Sequence, residues 1–280
     1  MARILLIPIL VAFFISGCTQ SQQSSNPPAE ETNLQKNPKQ MLRDAYQLFK
    51  EGKDEESVKL AQEVLEIGKE TNNDTLIGRA LTSMCRNAQR SLDTTRLAEL
   101  SDKLVKLSKS SGDEQWLMYR AHMNAEMWRL IGDMNRAEMH YNESLRLSES
   151  LGAKGMYTID HFNKSFVSTA KGDYTSANDL IKRYYQLGFE ADSLNEDAYG
   201  LIALAYLLEQ QNNLNGAAEV AAVARRLFEE QNIFPEPPDE KPLKAVEARI
   251  EKELEEAEIQ KIVDKSIHQD VNSLLAKYLE

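Results

Sequence analysis

Gly132-Asp133-Met134-Asn135-Arg136-Ala137 and Gly172-Asp173-Tyr174-Thr175-Ser176-Ala177 stand forty residues apart and share one pattern. A glycine tolerates the left-handed backbone that ends a helix. An aspartate directly after it can accept the free N–H groups that open the next helix. Each hexapeptide therefore predicts a turn between two helices. The same phase extends outward in both directions. Small residues recur at Ala45, Cys85, Ala125, Ser165 and Ala205, and small or apolar ones at Ser57, Leu97, Ala137, Ala177 and Ala217. One series of turn residues runs Gly52, Gly132, Gly172 and Asn212, with Leu92 as its exception; another runs Asn72, Gly112, Gly152, Asp192 and Asn232. An aliphatic series, Ile67, Leu107, Leu147, Leu187 and Leu227, lies between them. Apolar residues between the stops keep helical spacing, as in Ala121, Ala125 and Trp128 and then Ala137, Tyr141 and Leu145. No useful run of strand alternation occurs. One such unit cannot bury its apolar face alone, so the pattern predicts stacked helix pairs with a continuous core and capped ends.

The Gly-Asp turns, with Tyr141 following Ala137, resemble the inter-helix turn of tetratricopeptide repeats. Ala125 and Ala205 precede Ala137 and Ala217 by twelve residues, the spacing of that family's two small positions. The resemblance covers residues 38–237. It departs in period, forty against the family's roughly 34, and in lacking a proline after the second helix. A HEAT-like array, with a repeat of about 40–47 residues, is the alternative. The resemblance implies an all-α, right-handed solenoid of about five helix-turn-helix repeats plus a C-terminal helix. It also implies that the first helix of each pair lines a concave face. Carried over position by position, the groove takes Leu42, Tyr46 and Phe49 from the first unit and Arg79, Thr82, Arg86 and Gln89 from the second. The third supplies Tyr119, His122, Glu126 and Arg129, the fourth Ile159, Phe162 and Phe166, and the fifth Tyr199, Ile202 and Tyr206. Tyr46, Phe49, Arg79, Arg86, Tyr119, Arg129, Phe162, Phe166, Tyr199 and Tyr206 form the expected partner-binding set. The Arg79–Arg86–Arg90 stripe suits an acidic segment or a C-terminal carboxylate. The Lys-and-Asn clamp of chaperone-binding relatives is not matched, since Leu42 and Tyr46 stand there.

The two ends read differently. Met1-Ala2-Arg3 is a short positive segment and Ile4 to Ile15 an uncharged apolar run of twelve residues. About 20 apolar residues are needed to cross a bilayer as a helix, so this run predicts an export signal over residues 1–17. Ile15-Ser16-Gly17-Cys18 resembles the lipobox of bacterial lipoproteins, which implies acylation of Cys18, palmitate included; Thr19 after it favours outer-membrane sorting on the same resemblance. Residues 18–37 then form the lipidated cysteine and a tether, polar and proline-containing, with a reach on the order of 25 Å. Near the other end, residues 233–242 hold four prolines, expected to interrupt the helix before them. Leu243 to Leu279 reads as helix, with Leu243, Val246, Ile250 and Leu254 as one stripe and Ile259, Val263, Ile267, Val271, Leu274 and Tyr278 as another, a capping helix within residues 238–280, broken near Lys265. A partner-binding or dimerising helix is the alternative, although Glu253 and Asp264 at heptad seam positions oppose a sustained coiled coil.

The chain has 280 residues, 33 basic against 44 acidic, and a formal charge of −11. That balance opposes nucleic-acid binding, which needs cationic surface. Two cysteines do not make a disulfide scaffold or a four-ligand zinc site. No phosphate loop, nucleophile elbow, His-Glu-x-x-His or Cys-x-x-Cys motif occurs. His122 and His161 fall near equivalent places in adjacent units and could approach one another, but packed or solvent-facing imidazoles are the expected outcome for all four histidines, His122, His140, His161 and His268. Cys85, at a small packing position, is expected to be an inert thiol. These readings favour a non-catalytic, membrane-anchored scaffold or adaptor that binds an envelope protein or peptide and uses no cofactor or metal. A small-ligand or glycan receptor using the same aromatic groove is the alternative, and an enzyme assembled from scattered loop residues a third.

Overall fold

A computed structural model describes residues 37–191, 195–233, 235 and 237–279. The expected export signal, Cys18 and all of the expected tether but its last residue lie outside the described residues, as does Asp192. Five helix pairs run in order: α1 (Pro38–Lys50) with α2 (Asp54–Glu70), α3 (Asp74–Arg90) with α4 (Thr94–Ser111), α5 (Gln115–Ile131) with α6 (Met134–Ser150), α7 (Lys154–Ala170) with α8 (Tyr174–Ala191), and α9 (Asn195–Gln210) with α10 (Leu214–Glu230). Three further helices follow, α11 (Pro237–Glu253), α12 (Glu256–Ser266) and α13 (Val271–Tyr278). Among the described residues there is no strand.

The turns within the pairs are copies of one another. Gly52, Leu92, Gly132, Gly172 and Asn212 all have positive φ, between 55° and 96°. The next residue in each case donates its N–H to the carbonyl five positions back: Lys53 to Leu48, Asp93 to Ala88, Asp133 to Trp128, Asp173 to Ser168 and Asn213 to Leu208. This closes the first helix of the pair with a Schellman-type bond. The side chains of Asp93, Asp133, Asp173 and Asn213 then accept from the N–H three residues on, at 2.9–3.1 Å, and open the second helix. Leu92 thus holds the conformation of a glycine, with φ 55° and 49% of its surface exposed. An L-residue held there costs about 1–2 kcal/mol. Leu92→Gly is therefore expected to stabilise the chain by about 1 kcal/mol after glycine's own chain entropy is counted. The urea midpoint reads this; an unchanged or lower midpoint contradicts it.

Ala45, Cys85, Ala125, Ser165 and Ala205 are all fully buried, and so are Ser57, Ala137, Ala177 and Ala217 across from them. The forty-residue phase is therefore a packing phase: small faces sit where two helices of a pair cross. In the first pair the approach is close enough for the Ser57 hydroxyl to donate to the Ala45 carbonyl at 2.8 Å. Along the array α1 touches α3, α3 touches α5, α5 touches α7, α7 touches α9 and α9 touches α11, while the even helices of neighbouring pairs meet marginally at most. An inner layer closer together than the outer one makes the array concave on the side of the odd helices.

The C-terminal segment differs from expectation in two ways. Its helix begins at Pro237, not at Leu243: prolines in a first turn give up N–H groups that have no intrahelical acceptor, and Pro242, inside the helix, costs one backbone bond to the Pro238 carbonyl. It also breaks twice, once before Glu256 and again over Ile267–Asp270, where the Asp270 side chain caps α13. The breaks let both apolar stripes reach the array. Leu243, Val246, Ile250, Val271 and Leu274 are buried in one cluster with α9 and α10. The stripe that would have served a dimer is covered internally. Arg225 fixes α11 through Glu247, at 2.7 Å twice, and Glu240 at 2.9 Å. Glu219 fixes the last helix through Lys277 at 2.6 Å, Gln269 at 2.8 Å and the Tyr278 hydroxyl.

Candidate functional site

Each odd helix presents equivalent positions to the concave side, and their rows separate by depth. The row Leu42, Thr82, His122, Phe162 and Ile202 packs between helices, with all but Leu42 buried. The row one turn earlier, Arg79, Tyr119, Ile159 and Tyr199, is exposed or half-buried. The row Tyr46, Arg86, Glu126, Phe166 and Tyr206 runs along the groove. Its members connect across units: the Arg86 guanidinium lies over the Tyr46 ring at 4.9 Å, and Phe166 and Tyr206 meet with ring centroids 5.8 Å apart. Between these ends, Gln89 donates to Glu126 at 3.3 Å, Arg129 donates twice to Glu126 at 3.1 and 2.8 Å, and Arg129 lies 5.4 Å over the Phe166 ring. The result is a ladder of side chains with one aromatic pair at one end, one aromatic–arginine pair at the other, and a buried ion pair between.

The expected set thus divides. Tyr46, Arg86, Arg129, Phe166 and Tyr206 belong to this ladder. Phe49 is buried under Arg90, whose guanidinium stands 3.5 Å from its ring centroid. Phe162 faces into the array, in contact with Phe166, Tyr184 and Tyr199. Tyr119 packs beside Trp116, and Arg79 is exposed.

The α11 start crosses the ladder at its middle. Pro238 and Asp239 border a cavity of about 90 Å³ with Phe49, Arg86, Gln89, Arg90, Glu126 and Asn163. Pro238 and Pro242 border a second, of about 240 Å³, with Arg129, Phe166 and Tyr206. Asp239 stands 3.9 Å from Arg129. This explains the uneven exposure along the row: Tyr46 is 38% exposed, whereas Glu126 and Phe166 are buried at 5% and 4%.

His122 takes a carboxylate as its partner. Its Nδ1 lies 2.7 Å from a carboxylate oxygen of Asp160, which is fully buried on α7. The equivalent of His122 in the next unit is position 162, so His161 is turned by about 100° around its helix; its Nδ1 lies 2.7 Å from the Tyr157 carbonyl of its own helix. Burial disfavours the charged imidazolium of His122, but the Asp160 carboxylate, helped by Glu126, outweighs it and raises its pKa above the usual 6.5. A raised histidine contributes its full stabilisation below the unfolded value, and that contribution fades as pH rises through the folded value. Wild type is therefore expected to lose stability relative to His122→Gln as pH rises above the ordinary histidine value of about 6.5. Paired urea titrations measure it; a pH-independent difference contradicts it. Cys85 is buried, and burial pushes its thiol up to about 12. Among the described residues no group of His, Cys, Asp and Glu is placed to hold a metal, and no helix is long and apolar enough to cross a membrane.

No family model matches the chain, and no curated protein matches it. Solved structures do. RapI in its apo form aligns with a TM-score of 0.51 at 17% identity, over 80% of this chain and 84% of that one. The chain is an all-α helical-repeat solenoid. Within the solenoid, the feature hidden from the sequence is the return of α11 across the groove. The prolines at 235, 237, 238 and 242 mark an interruption, but nothing in their pattern says where the chain goes next. Asp160 was also missed: on a helix read as aromatic and apolar, one acid has no visible partner until the preceding unit's histidine is placed beside it.

Proposed function

We propose that the solenoid is a non-catalytic, lipid-anchored scaffold that holds a protein or peptide partner on its concave face in the bacterial cell envelope. The observation carrying this reading is the continuous row Tyr46–Arg86–Glu126–Phe166–Tyr206, one side chain from each of five units along one groove. Aromatic and arginine side chains are the types that anchor most interfaces. The two cavities along the groove, about 90 and 240 Å³, fall below the roughly 300–1,000 Å³ that encloses a small ligand. An extended partner lying along the row fits this geometry better than an enclosed sugar or metabolite. The envelope address comes from the sequence alone: the apolar run to Ile15, the Ser16-Gly17-Cys18 box and Thr19 support a chain acylated at Cys18 and facing the periplasm from the outer membrane. More than one acyl chain, at about 0.8 kcal/mol per buried CH₂, gives lasting anchorage without a spanning helix.

The test is affinity capture from detergent-solubilised envelope with wild type and with Tyr46→Ala/Arg86→Glu, both exposed enough to change without disturbing the core. At least one protein is expected to be retained by wild type and lost from the variant. Identical retention by both sinks the groove as the binding face.

A further inference from the structure

We propose that the 240 Å³ pocket at the Tyr206 end of the groove seats one bulky apolar side chain of a peptide partner, and that an acidic side chain two residues away in that peptide pairs with Lys241. The inference rests on the scaffold reading above and names the chemistry of the segment that the groove takes.

The pocket is walled by successive parts of the array and by the cap. Met134 opens α6, Phe166 and Ala170 come from α7, Tyr206 from α9, and Pro238 and Pro242 from α11. A proline ring brings no N–H, so the two α11 faces are apolar and strand no donor. The Phe166 and Tyr206 rings stand together in the wall, 5.8 Å between centroids. Water gains few hydrogen bonds in such a place, whereas a side chain of leucine or phenylalanine size buries its surface against both rings. The volume suits one such side chain and falls short of a whole drug-sized ligand. Because α11 is itself a wall, nothing in its first turns has to move and all their ion pairs are kept.

Charge selects what stands beside that side chain. Among the described residues the border carries two cations, Arg129 and Lys241, and no carboxylate. Arg129 is already answered by Glu126 and Asp239. Glu240 is paired with Arg225 and Lys244, and Glu209, the acid nearest in effect to the Tyr206 hydroxyl, with Arg249. Lys241 is exposed and makes no ion pair or side-chain hydrogen bond among the described residues; the Tyr206 hydroxyl makes no hydrogen bond among them either. On a chain of formal charge −11, a carboxylate brought here meets an unanswered cation. In an extended peptide successive side chains point to opposite faces, so an acid sharing a face with the anchor stands two residues from it, about 7 Å along the chain. The flexible four-carbon stem of a lysine has the reach to meet it.

The probes are two fluorescein-labelled heptapeptides, GSFSESG and GSESFSG, which carry the pair in either order and are titrated with the full chain by anisotropy. At least one is expected to bind with a Kd below about 1 mM. Replacing its Phe by Ala is expected to weaken it about tenfold or more, the loss of an anchoring side chain. Ala170→Trp in the chain, which fills the pocket from an exposed position, is expected to do the same. Lys241→Glu is expected to weaken binding about fivefold, and changing the peptide's Glu to Lys is expected to restore it in that variant. The peptide changes carry the test even where a chain variant is less stable. Binding of neither peptide, or binding unchanged by the loss of Phe or by Ala170→Trp, overturns the anchor. Binding indifferent to Lys241→Glu overturns the acidic neighbour. Self-association of the chain that Ala170→Trp abolishes would give the pocket to a second copy, and also overturns the inference. If the peptides fail while envelope capture still depends on Tyr46 and Arg86, the anchor falls and the scaffold stands. If they bind as expected while capture ignores Tyr46 and Arg86, the pocket stands and the scaffold reading falls.

Discussion

Glu126→Ala is expected to destabilise the solenoid by about 3–5 kcal/mol, the largest effect of any single carboxylate in it. Glu126 is 5% exposed and accepts from Arg129 Nε and Nη2, from Gln89, and from the Tyr141 hydroxyl. Its removal strands the Arg129 guanidinium, itself 8% exposed, and leaves Asp239 at 3.9 Å as the nearest counter-charge. That distance is too long to replace the lost hydrogen bonds. The pair as a whole contributes far less than its breakage costs, since each charge was desolvated to make it. Glu126→Leu/Arg129→Met is accordingly expected to be near neutral or more stable than wild type. Urea unfolding of the two single variants and the double variant measures both. A loss below about 1 kcal/mol in Glu126→Ala would mean that Arg129 finds water or another acceptor, and that the middle of the groove is not the closed, charge-balanced site described.

Gly78→Ala is expected to cost about 2 kcal/mol or more, although alanine is ordinarily the better helix former by about 1 kcal/mol. A Cβ at Gly78 would stand 2.3–2.5 Å from three atoms of the Trp116 ring. Trp116 is 1% exposed and packed among the buried residues of the first units, so it has nowhere to withdraw. The same contact recurs at Gly200, whose added Cβ would fall 2.4 Å from the Tyr185 ring. Gly155→Ala is the control of opposite sign, because nothing lies within 4 Å of its added Cβ. It is expected to be neutral or slightly stabilising. Thermal or urea midpoints distinguish the three, and equal shifts for Gly78→Ala and Gly155→Ala would show that the helix pairs are not in the close contact that the repeat requires.

Much of the array was legible because its signals are local. A left-handed turn needs Gly or Asn within a position or two, and a capping aspartate needs to be next. Leu92 shows how far phase outruns residue type: the position was marked by its neighbours forty residues away, and the backbone adopts φ 55° despite the side chain. The groove was legible in part. Counting along a helix finds the row that ends in Tyr206, but it does not separate that row from Phe162, four positions before Phe166, which turns inward. One residue of offset, about 100°, likewise gives His161 a partner in its own helix while His122 pairs with Asp160. The cap was misread where a general rule met its exception. Proline opposes a helix interior yet suits a first turn, so α11 starts six residues before Leu243. Its path back over the ladder depends on contacts between residues as distant as Arg129 and Asp239, which no local pattern records.

The central claim is that units locked in one forty-residue phase line up their odd helices as a single binding face. Hydrogen–deuterium exchange of the full chain, alone and with a protein retained in the capture experiment, tests it most directly. The account requires partner-dependent protection on α1, α3, α5 and α7 around Tyr46, Arg86 and Glu126, with α2, α4 and α6 unchanged. Protection confined to the even helices or to α12 and α13 would contradict it.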